Sequence, residues 1–492
     1  MNKPIVWTIA GADSSGGAGI QADLKVFEYL GVHGCSVITA MTAQNLQHIA
    51  DIRYTPPEFL EAQIAVLKEL PASVIKIGML GTIAAIEKLN YFVKNFSGQI
   101  VLDPVMVATS GKAMFVEDGV AYKSELIKLF PHIDMLTPNL PETETILSKK
   151  VRTPQDIEQA AQELLSLGVK NVLIKGGHGC HPVFSQDYWT NGTESCWLTS
   201  PRYPQKNYRG TGCTYASAIA ANLALGYEMK EAIVIAKMYV NRGIRLAHTY
   251  QADAALIMHG GWPEEEIDFP YLSDHYIDQL PPRFMDCGPM PLGLYPIVNN
   301  SDWVEKLLGL GVTTIQLRIK DKSGMELEDE IKRSIQLAKQ YHARLFINDY
   351  WELAIKYQAY GVHLGQEDLT TANIKKIHQA GLRLGISTHC YYEVARAHTF
   401  KPSYLACGPV FPTTSKVMKF SPQGIFNLSR WQRTLKNYRW VAIGGIDLEK
   451  LPAVLETGVD GIALISAITG ADQPASITKQ FLHMIGQYQC TN

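Results

Sequence analysis

Short apolar runs rich in β-forming residues alternate with amphipathic stretches along nearly all of the chain, and this alternation restricts the fold more than any other feature. It predicts βαβ units, in which a right-handed helical crossover places successive strands parallel in one sheet. The chain has 492 residues, whereas one hydrophobic core rarely serves more than about 250–300 residues. We therefore predict an α/β protein with two large domains.

Composition excludes several classes of function. A formal net charge of -2, with 19% charged residues, provides no basic surface for nucleic acid or anionic lipid, so small-molecule substrates are expected. The apolar runs are too short to span a bilayer, and the N-terminal MNKPIVWTIA lacks a signal-peptide pattern, which predicts a cytoplasmic protein. Eight cysteines without CxxC or Cys/His spacing disfavour a disulfide framework and a structural zinc site. A homo-oligomer is compatible with the sequence, which does not determine the oligomeric state.

The first half, residues 1–262, has the pattern of a mostly parallel sheet covered by helices. Its strand candidates are Ile5 to Ala10, Ser36 to Met41, Val74 to Met79, Ile100 to Val105, Met135 to Thr137 and Val172 to Lys175. The helix candidates between them include Pro57 to Leu70, Ile83 to Lys94, Val120 to Phe130 and Pro154 to Leu167. Ligands of such sheets bind beyond the carboxyl ends of the strands, so the residues at those ends are the site candidates.

The first two strands of this half end in segments suited to an acceptor molecule. The segment GADSSGGAGIQADLK begins at Gly11, and its glycines let the backbone approach a ligand, while Asp23 lies on the following helix. The same segment also fits a capped strand-to-helix turn without a ligand. The second strand ends in TAQN, which places Gln44 at the edge of the sheet. Its amide donates and accepts side by side, as an aminopyrimidine edge requires.

Later strand ends carry charged and amide side chains. They are Asp103 in LDPV, Asn139 and Glu142 in TPNLPE, and Lys175 in IKGGH. The two acids could hold Mg²⁺ directly or through water, and the lysine could neutralise phosphate. Each residue alone also fits a surface charge or a helix cap. Their place at successive strand ends of one sheet favours a shared phosphate site.

The stretch RGTGCT, Arg209 to Thr214, precedes an Ala-rich run from Tyr215 to Leu225. It predicts a glycine loop at a helix N-terminus, where free N–H groups and the helix dipole bind an anion. A tight turn that caps a structural helix is the alternative. The residues that would form the anion hole are Gly210, Thr211, Gly212 and Cys213. A thiol at a helix N-terminus is expected to have a lowered pKa, which makes Cys213 a candidate base.

Together these motifs resemble the hydroxymethylpyrimidine/phosphomethylpyrimidine kinases of the ribokinase superfamily, which have a ribokinase-like α/β sandwich fold. The matching segments are TIAGADSSGGAGIQADLK, VITAMTAQN, KIGML, LDPVM, TPNLPE, IKGGH and GTGCT. The resemblance implies MgATP as the phosphoryl donor. It also implies that Gly11, Asp23 and Gln44 bind the pyrimidine, that Asn139 and Glu142 organise metal and phosphate, and that residues 210–213 form the anion hole. Arg209 departs from the usual family pattern.

Residues 263–291 contain closely spaced prolines, an acidic run and little periodicity, so we predict a linker with one short helix. Packing of this segment under the following domain is an alternative that the sequence leaves open.

Residues 292–492 have the pattern of a (β/α)₈ TIM barrel. The strand candidates are GLYPIV, TIQLRI, RLFIND, GVHLG, RLGIST, YLACGPV, RWVAIGG and GIALIS, which is the number that a barrel needs. The polar residues at their carboxyl ends are Gln316, Arg318, Lys320, Asn348, Asp349, Gln366, Asp368, Ser387, Thr413, Thr414, Ser415, Lys416, Gly445 and Ser466. In barrels of this kind the active site lies at that end.

The chemistry of these residues indicates a diphosphate substrate. Arg318, Lys320 and Lys416 could bind the diphosphate, while Asp349 and Asp368 could hold the bridging Mg²⁺. The late IGGI and LISAI segments supply backbone N–H groups for a second substrate that carries one phosphate. A solvated charged rim is the alternative.

This half resembles thiamine-phosphate synthase from Leu292 to Tyr488. The matching segments are QLRIK, IND, HLGQED, GISTH, GPVFPTTSK, AIGGI and LISAI. The resemblance implies that the pyrimidine diphosphate is bound by Gln316, Leu317, Arg318, Ile319, Lys320, Asn348, Ser387 and Lys416. It implies Mg²⁺ at Asp349 and Asp368, and the thiazole phosphate at Thr413, Thr414, Ser415, Gly445, Ile465 and Ser466. Ile319 replaces an acidic residue that is common in the family.

The two resemblances together predict a bifunctional enzyme of thiamine biosynthesis. The kinase half would phosphorylate 4-amino-5-hydroxymethyl-2-methylpyrimidine twice, and the barrel would couple the diphosphate to 4-methyl-5-(2-phosphooxyethyl)thiazole. The alternatives are a pyridoxal-type kinase and a barrel that only binds thiamine phosphate as a regulatory module. Gln44 favours the aminopyrimidine over pyridoxal, and the leaving-group site favours catalysis over regulation.

Overall fold

The structure is a computed structural model that describes residues 3–106, 114–179, 181–203, 207–251, 254–413 and 421–491. The chain forms two compact units, one of Met1–Pro263 with Ile267–Asp278 and one of Glu264–Glu266 with Gln279–Asn492. Within the residues that are described, no helix is long and apolar enough to cross a membrane.

Among its described residues, the first unit contains thirteen strands and eight α-helices in an order that follows the predicted alternation. The strands are β1 Ile5–Asp13, β2 His33–Gln44, β3 Ile49–Tyr54, β4 Val74–Ile77, β5 Gln99–Leu102, β6 Met135–Leu136, β7 Val172–Ile174, β8 Phe184–Thr190, β9 Ser195–Pro201, β10 Asn207–Arg209, β11 His248–Gln251, β12 Ala254–Leu256 and β13 Tyr271–Ser273. The helices are α1 Gly19–Leu30, α2 Pro57–Leu67, α3 Ile83–Val93, α4 Gly119–Ile127, α5 Leu140–Leu147, α6 Pro154–Ser166, α7 Thr211–Ala224 and α8 Met229–Arg245.

Ten of these strands form one sheet in the order β13-β9-β8-β7-β6-β5-β4-β1-β2-β3. Its centre, from β2 to β7, is parallel, as the sequence predicts. Both edges are antiparallel: β3 pairs with β2 at one edge, and β8, β9 and β13 extend the other. The mostly parallel sheet is therefore confirmed. A small second sheet has the order β10-β12-β11 and includes the strand that leads into the GTGC loop.

Strands near the centre of the sheet are covered on both faces. All four residues of β4 are buried, and so are all three of β7. Such strands appear as continuous apolar runs in the sequence, which is typical of parallel sheets. The helices start where the sequence provides caps: Thr82 accepts a hydrogen bond from the N–H of Ala85 at the start of α3, and Thr153 forms a capping box with Asp156 in α6.

Residues 263–291, for which the sequence predicts a linker, are divided between the two units. Residues 267–278 belong to the first unit, where β13 extends the sheet and Asp268 is fully buried against Arg245, with a nitrogen–oxygen distance of 2.6 Å. The one predicted short helix is present as a 3₁₀ turn at Glu266–Asp268. Residues 279–291 instead group with the barrel unit. The sequence gives no signal for the packing of residues 267–278 or of residues 279–291, because largely extended segments make these contacts and extended segments have no helical periodicity.

The second unit is a closed barrel of eight parallel strands, β14 to β21 in sequence order. The strands are β14 Gly293–Val298, β15 Thr314–Leu317, β16 Arg344–Asn348, β17 Gly361–Leu364, β18 Arg383–Thr388, β19 Tyr404–Cys407, β20 Arg439–Ile443 and β21 Gly461–Leu464. The helices are α9 Ser301–Gly309, α10 Gly324–Gln340, α11 Trp351–Lys356, α12 Ile374–Gln379, α13 Tyr391–Thr399, α14 Gly424–Thr434, α15 Leu451–Leu455, α16 Ser466–Thr469 and α17 Pro474–Thr491. The (β/α)₈ prediction is confirmed.

The segment before β14 closes the amino-terminal end of the barrel. Three arginines at the starts of β16, β18 and β20 donate to its backbone carbonyl oxygens: Arg344 to Pro291 at 2.6 Å, Arg383 to Asp286 at 3.3 Å, and Arg439 to Gly288 at 2.9 Å. The Cys287 side chain is buried in the cluster that fills the barrel interior. The polar site is therefore confined to the opposite, carboxyl-terminal end.

Candidate active sites

A cavity of about 1120 Å³ lies at the carboxyl ends of the parallel strands in the first unit. It is lined by ten of the predicted kinase residues: Gly11, Gln44, Asp103, Asn139, Glu142, Lys175, Gly210, Thr211, Gly212 and Cys213. Residues that lie more than 200 positions apart thus share one cavity. This convergence is what the strand-end argument predicts.

The Gln44 side of the cavity is held in place by two residues that the sequence analysis did not select. The Asp13 carboxylate accepts hydrogen bonds from the N–H groups of Ser15, Gly17 and Ala18, which fixes the glycine loop after β1. The Ser14 hydroxyl bonds the backbone of Gln44, donating to its carbonyl at 2.7 Å. An Asp followed by Ser and Gly is a turn signal that could have identified this clamp.

The structure corrects the role of Asp23. This carboxylate is fully buried and does not line the cavity. Its oxygens accept hydrogen bonds from the Thr8 and Ser217 hydroxyls, both at 2.6 Å, and from Lys76 Nζ at 2.8 Å. The side chain that the sequence analysis assigns to the pyrimidine thus lies in the protein interior. Lys76 does line the cavity, so Asp23 holds a cation in the cavity wall.

The phosphate-site candidates form a connected group at the ends of β5, β6 and β7. Asn139 and Glu142 form the capping box of α5, in which each side chain accepts the backbone N–H of the other residue. Lys175 Nζ lies 2.6 Å from the Asp103 carboxylate and 4.0 Å from that of Glu142. Burial raises the pKa of Glu142 to about 7, although Lys175 opposes the shift. The negative charge of Asp103 adds to the rise in the pKa of Glu142, so the two acids act on each other electrostatically.

The GTGC segment forms the first turn of α7, as predicted. Gly210 is left-handed with φ +84°, and a Cβ there would lie 2.0 Å from the Gly17 carbonyl oxygen, so this position accepts only glycine. A Cβ on Gly212 would lie 3.2 Å from Lys175 Nζ, which shows how close the loop is to the Asp103–Lys175 pair. The loop N–H groups and Lys175 are therefore neighbours at one point of the cavity.

The predicted low pKa of Cys213 is wrong. Burial raises the pKa of the thiol to about 11, and the negative charges of Asp23 and Asp103 add to the shift. Lys76 opposes it but does not outweigh the loss of solvation. The helix-terminus argument failed because it counted the helix dipole and not the depth at which the side chain lies.

In the barrel, predicted site residues occupy the carboxyl ends of the strands. Gln316 ends inside the barrel and is almost fully buried, as is Asn348. Asp349 has φ +64°, a left-handed conformation that is rare for a side-chain-bearing residue, and Lys320 Nζ contacts its carboxylate. The pKa of Asp368 is raised by burial and by the negative charge of Asp349. The two acids are thus close neighbours, as a shared cation site requires.

A buried chain of hydrogen bonds supports two of the predicted contacts. Gln316 donates to the Tyr295 hydroxyl at 3.3 Å, and that hydroxyl lies 2.8 Å from the Tyr404 hydroxyl. His363 bonds Tyr404 at 2.7 Å and Ser387 Oγ at 2.8 Å. Burial lowers the pKa of His363 to about 4, so the ring is neutral at physiological pH. The sequence analysis missed Tyr295, His363 and Tyr404, since they appear there as ordinary strand residues.

The remaining predicted contacts lie at the ends of β19, β20 and β21. Gly445 has φ +66°, and a Cβ there would meet the Pro412 carbonyl oxygen at 2.5 Å, so its loop lies against the residue that precedes Thr413. Ile465 precedes Ser466, the first residue of α16.

Arg318 and Asp349 both act electrostatically on His363, whereas Leu317 and Ile319 are buried apolar residues. Gln366 donates to the Ser387 carbonyl oxygen at 2.8 Å. Thr414, Ser415 and Lys416 lie outside the described residues.

Comparison with known proteins assigns both halves. The family model for phosphomethylpyrimidine kinase matches residues 13–257, and the model for thiamine monophosphate synthase matches residues 294–468. Over 194 residues the chain is 56% identical to thiamine-phosphate synthase of Yersinia pseudotuberculosis, which spans 39% of this chain and 90% of the relative. The same enzyme of Klebsiella pneumoniae is 56% identical over 203 residues, or 41% of this chain and 96% of the relative. The chain belongs to both families, one in each half.

Membership of the two families makes this a bifunctional enzyme of thiamine biosynthesis, with a kinase in one half and a transferase in the other. Among solved structures, the pyridoxal kinase of Staphylococcus aureus in complex with ADP is 30% identical, with a TM-score of 0.50 over 56% of this chain and 98% of that protein. The kinase half thus has the ribokinase-like fold that the sequence predicts.

Proposed function

We propose that the kinase half transfers the γ-phosphoryl group of ATP twice, first to the hydroxymethyl group of 4-amino-5-hydroxymethyl-2-methylpyrimidine and then to the resulting monophosphate. The barrel then joins the diphosphate to 4-methyl-5-(2-phosphooxyethyl)thiazole, with release of pyrophosphate. The observation that carries this proposal is the convergence of strand-end side chains on one cavity of the first unit. The barrel repeats the arrangement with residues suited to a diphosphate.

In the kinase, Gly11 and Gln44 would bind the pyrimidine, while Asn139, Glu142, Asp103 and Lys175 would hold the nucleotide phosphates. Phosphoryl transfer depends on positioning and on stabilising charge on the transferred group. The N–H groups at the start of α7 and the Lys175 ammonium provide both, because a Cβ on Gly212 would nearly touch Lys175 Nζ. Cys213 would accept the proton of the alcohol in its thiolate form, which the Lys76 ammonium favours.

In the barrel, Arg318 and Lys320, with Lys416, would bind the diphosphate. The neutral His363 would orient the Ser387 hydroxyl through the 2.8 Å hydrogen bond. Gln316 and Asn348 would contact the pyrimidine, and the loops of Gly445 and Ser466 would bind the thiazole phosphate together with Thr413, Thr414, Ser415 and Ile465. Bond cleavage at the pyrimidine methylene then needs little more than charge stabilisation on the leaving group and a positioned thiazole nitrogen.

Magnesium fits both sites. Asp349 and Asp368 lie close enough for one charge to raise the pKa of the other, and a divalent cation would relieve that repulsion. Asp103 and Glu142 would act in the same way in the kinase. Among the described residues, no group of three or more acidic, histidine or cysteine side chains could hold a metal, so phosphate oxygens and water would complete each shell. Bound Mg²⁺ would neutralise phosphate charge.

The test is direct conversion by the full chain. The purified protein, supplied with the pyrimidine alcohol, MgATP and the thiazole phosphate, is expected to form thiamine phosphate, ADP and pyrophosphate. A parallel reaction with pyridoxal in place of the pyrimidine measures the competing kinase activity. Product from pyridoxal alone, with none from the pyrimidine, would contradict the proposal. Formation of the pyrimidine diphosphate without coupling would leave the barrel as a binding module.

A further inference from the structure

The two kinase reactions differ in the charge of the acceptor. If the proposed function is correct, the first acceptor is a neutral alcohol, whereas the second is a phosphate monoester with about −1.5 to −2 charges. That second acceptor must approach the γ-phosphoryl group, which is itself negative. A cavity that performs both reactions therefore gains from a cation on the acceptor side that is not already neutralised.

Most cations of the cavity already form ion pairs or hydrogen bonds within the protein. Among the described residues, its lining includes Lys76, Lys175, Arg202, Arg209 and Lys237. The three lysines each contact a buried carboxylate, at 2.8 Å for Lys76, 2.6 Å for Lys175 and 2.7 Å for Lys237. All three nitrogens of the Arg202 guanidinium donate to backbone carbonyl oxygens.

Arg209 differs from the other four. Its Nε donates to the Leu46 carbonyl oxygen at 3.0 Å, and no carboxylate of the described residues lies within 4.0 Å of its guanidinium. Within the part of the chain that the structure describes, its two terminal nitrogens donate no hydrogen bond, so their four N–H groups can bind a ligand. Burial lowers the pKa of Arg209, which indicates a cation that has lost part of its hydration. Such a cation gains more from an anion than a fully solvated one does.

The position of Arg209 is on the acceptor side. It directly precedes Gly210, and its Cβ lies 3.7 Å from the place of a Cβ on Gly17, so it packs on the loop that Asp13 caps. Leu46, which it binds, is two residues beyond Gln44. The Asp13 carboxylate accepts hydrogen bonds from N–H groups of its own loop; its negative charge raises the pKa of Arg209 against the larger effect of burial, but it forms no ion pair with the guanidinium within 4.0 Å. Arg209 thus lies between the glycine loop that follows β1 and the loop that begins at Gly210.

We propose that Arg209 binds the phosphate of the pyrimidine monophosphate and makes the second phosphorylation efficient, while contributing little to the first. In that reaction an oxygen of the bound phosphate attacks the γ-phosphorus of ATP. The new P–O bond forms as the bond from the γ-phosphorus to the β,γ-bridging oxygen breaks, and ADP leaves with that electron pair. Arg209 orients the attacking phosphate and offsets its charge, so it acts as a specificity-determining residue.

The experiment compares the two reactions in Arg209→Gln and Arg209→Lys, with the alcohol or the monophosphate supplied as the acceptor. A charge-assisted contact contributes about 1.5–3 kcal/mol, so kcat/KM for the monophosphate should fall by about 10- to 150-fold in R209Q. For the alcohol it should change less than about threefold, since a neutral acceptor gives the guanidinium no phosphate to bind. The monophosphate should therefore accumulate. R209K retains the charge without the planar fork and should lie between R209Q and the parent.

Lys25→Gln is the matched control. Lys25 donates to the Gly16 carbonyl oxygen at 2.8 Å and is not part of the cavity lining. The substitution therefore removes a positive charge beside the same loop but outside the cavity. It should leave the ratio of the two reactions unchanged. An equal fall of both reactions in R209Q would overturn the proposal, because Arg209 would then act only by holding the Leu46 loop. An unchanged ratio in both Arg209 variants would overturn it as well. Failure of the parent chain to phosphorylate the alcohol would instead contradict the proposed function.

Discussion

Burial raises the pKa of the Cys213 thiol, whereas its position at a helix N-terminus predicts a lowered pKa. Because the pKa of its thiol is raised to about 11, the thiolate fraction should rise about tenfold for each pH unit from 7 to 10. Alkylation of the free enzyme by iodoacetamide, followed at the Cys213 peptide by mass spectrometry, should accelerate in the same way. A rate that levels off near pH 7 would mean that the thiol is acidified after all.

The catalytic role of Cys213 has a separate test. Cys213→Ala should lower the kinase rate by about 10²- to 10⁴-fold, the usual contribution of a positioned base. The kinase rate of the parent chain should increase with pH between 7 and 9, and that increase should disappear in the variant. Coupling of supplied pyrimidine diphosphate is the internal control, since Cys213 belongs to the other unit. A variant with nearly the parent rate would remove Cys213 from the mechanism.

The paired acids of the barrel lead to a residue-scale prediction about Mg²⁺. Asp349→Asn or Asp368→Asn should lower the coupling rate by at least about 10²-fold at moderate Mg²⁺, because metal assistance contributes several kcal/mol. Asp368→Asn keeps an oxygen that can accept the Gly365 N–H, so the loop should stay folded. The variants should still accumulate pyrimidine diphosphate.

Glu367→Gln is the matched control for the acid pair, since Glu367 is the exposed neighbour of Asp368. Its coupling rate and its Mg²⁺ dependence should equal those of the parent. Normal thiamine phosphate formation by Asp349→Asn would show that the metal assignment is wrong.

At the residue scale, the sequence predicted which side chains reach the kinase cavity but not how each one is used. Strand ends placed Gln44 and Asp103, and the glycine loop placed Cys213, in what the structure shows to be one cavity lining, because the carboxyl ends of parallel strands must meet at one edge. The burial of Asp23 and the pKa of Cys213 depend on depth below the surface. The depth of a side chain below the protein surface depends on how the whole domain packs, so it cannot be predicted from a local sequence pattern.

At the scale of elements, the central strands and their helices were predictable, whereas the extended pieces at the edges were not. Strands β4 to β7 are short apolar runs between amphipathic helices, and such runs have a clear sequence signature. Strand β13 has three residues and is held by its pairing with β9, which lies more than 70 positions earlier. Its partner, not its sequence, makes it a strand.

The element-scale prediction concerns residues 267–278. A fragment that ends at Trp262 loses Asp268 and with it the 2.6 Å ion pair between Arg245 and the buried Asp268 carboxylate. It also loses Ile277, whose backbone bonds the buried Gln186 side chain at 2.8 and 3.0 Å. Since a domain is stable by only about 5–15 kcal/mol, fragment 1–262 should show no cooperative thermal transition, whereas fragment 1–278 should. Equal melting temperatures for the two fragments would show that the segment is not needed.

At the scale of the whole molecule, one chain carries two enzymes, and each unit has its own core and its own polar site. Apart from Glu264–Glu266, which group with the second unit, the first unit ends at Asp278 and the second continues from Gln279. The contacts that Glu264 makes with Arg430 and Arg433 are 3.7 Å ion pairs near the surface, so their loss should change stability little. Each fragment is large enough to fill its own core.

The most direct measurement is therefore made on the chain cut at this boundary. Fragment 1–278 should convert the pyrimidine alcohol to its diphosphate with MgATP, and fragment 279–492 should couple supplied diphosphate to the thiazole phosphate. Each should act at about the rate of the full chain, and their mixture should form thiamine phosphate from the three starting compounds. A folded fragment that is inactive alone and recovers activity only when its partner is added would contradict the account, since one site would then need atoms from the other unit.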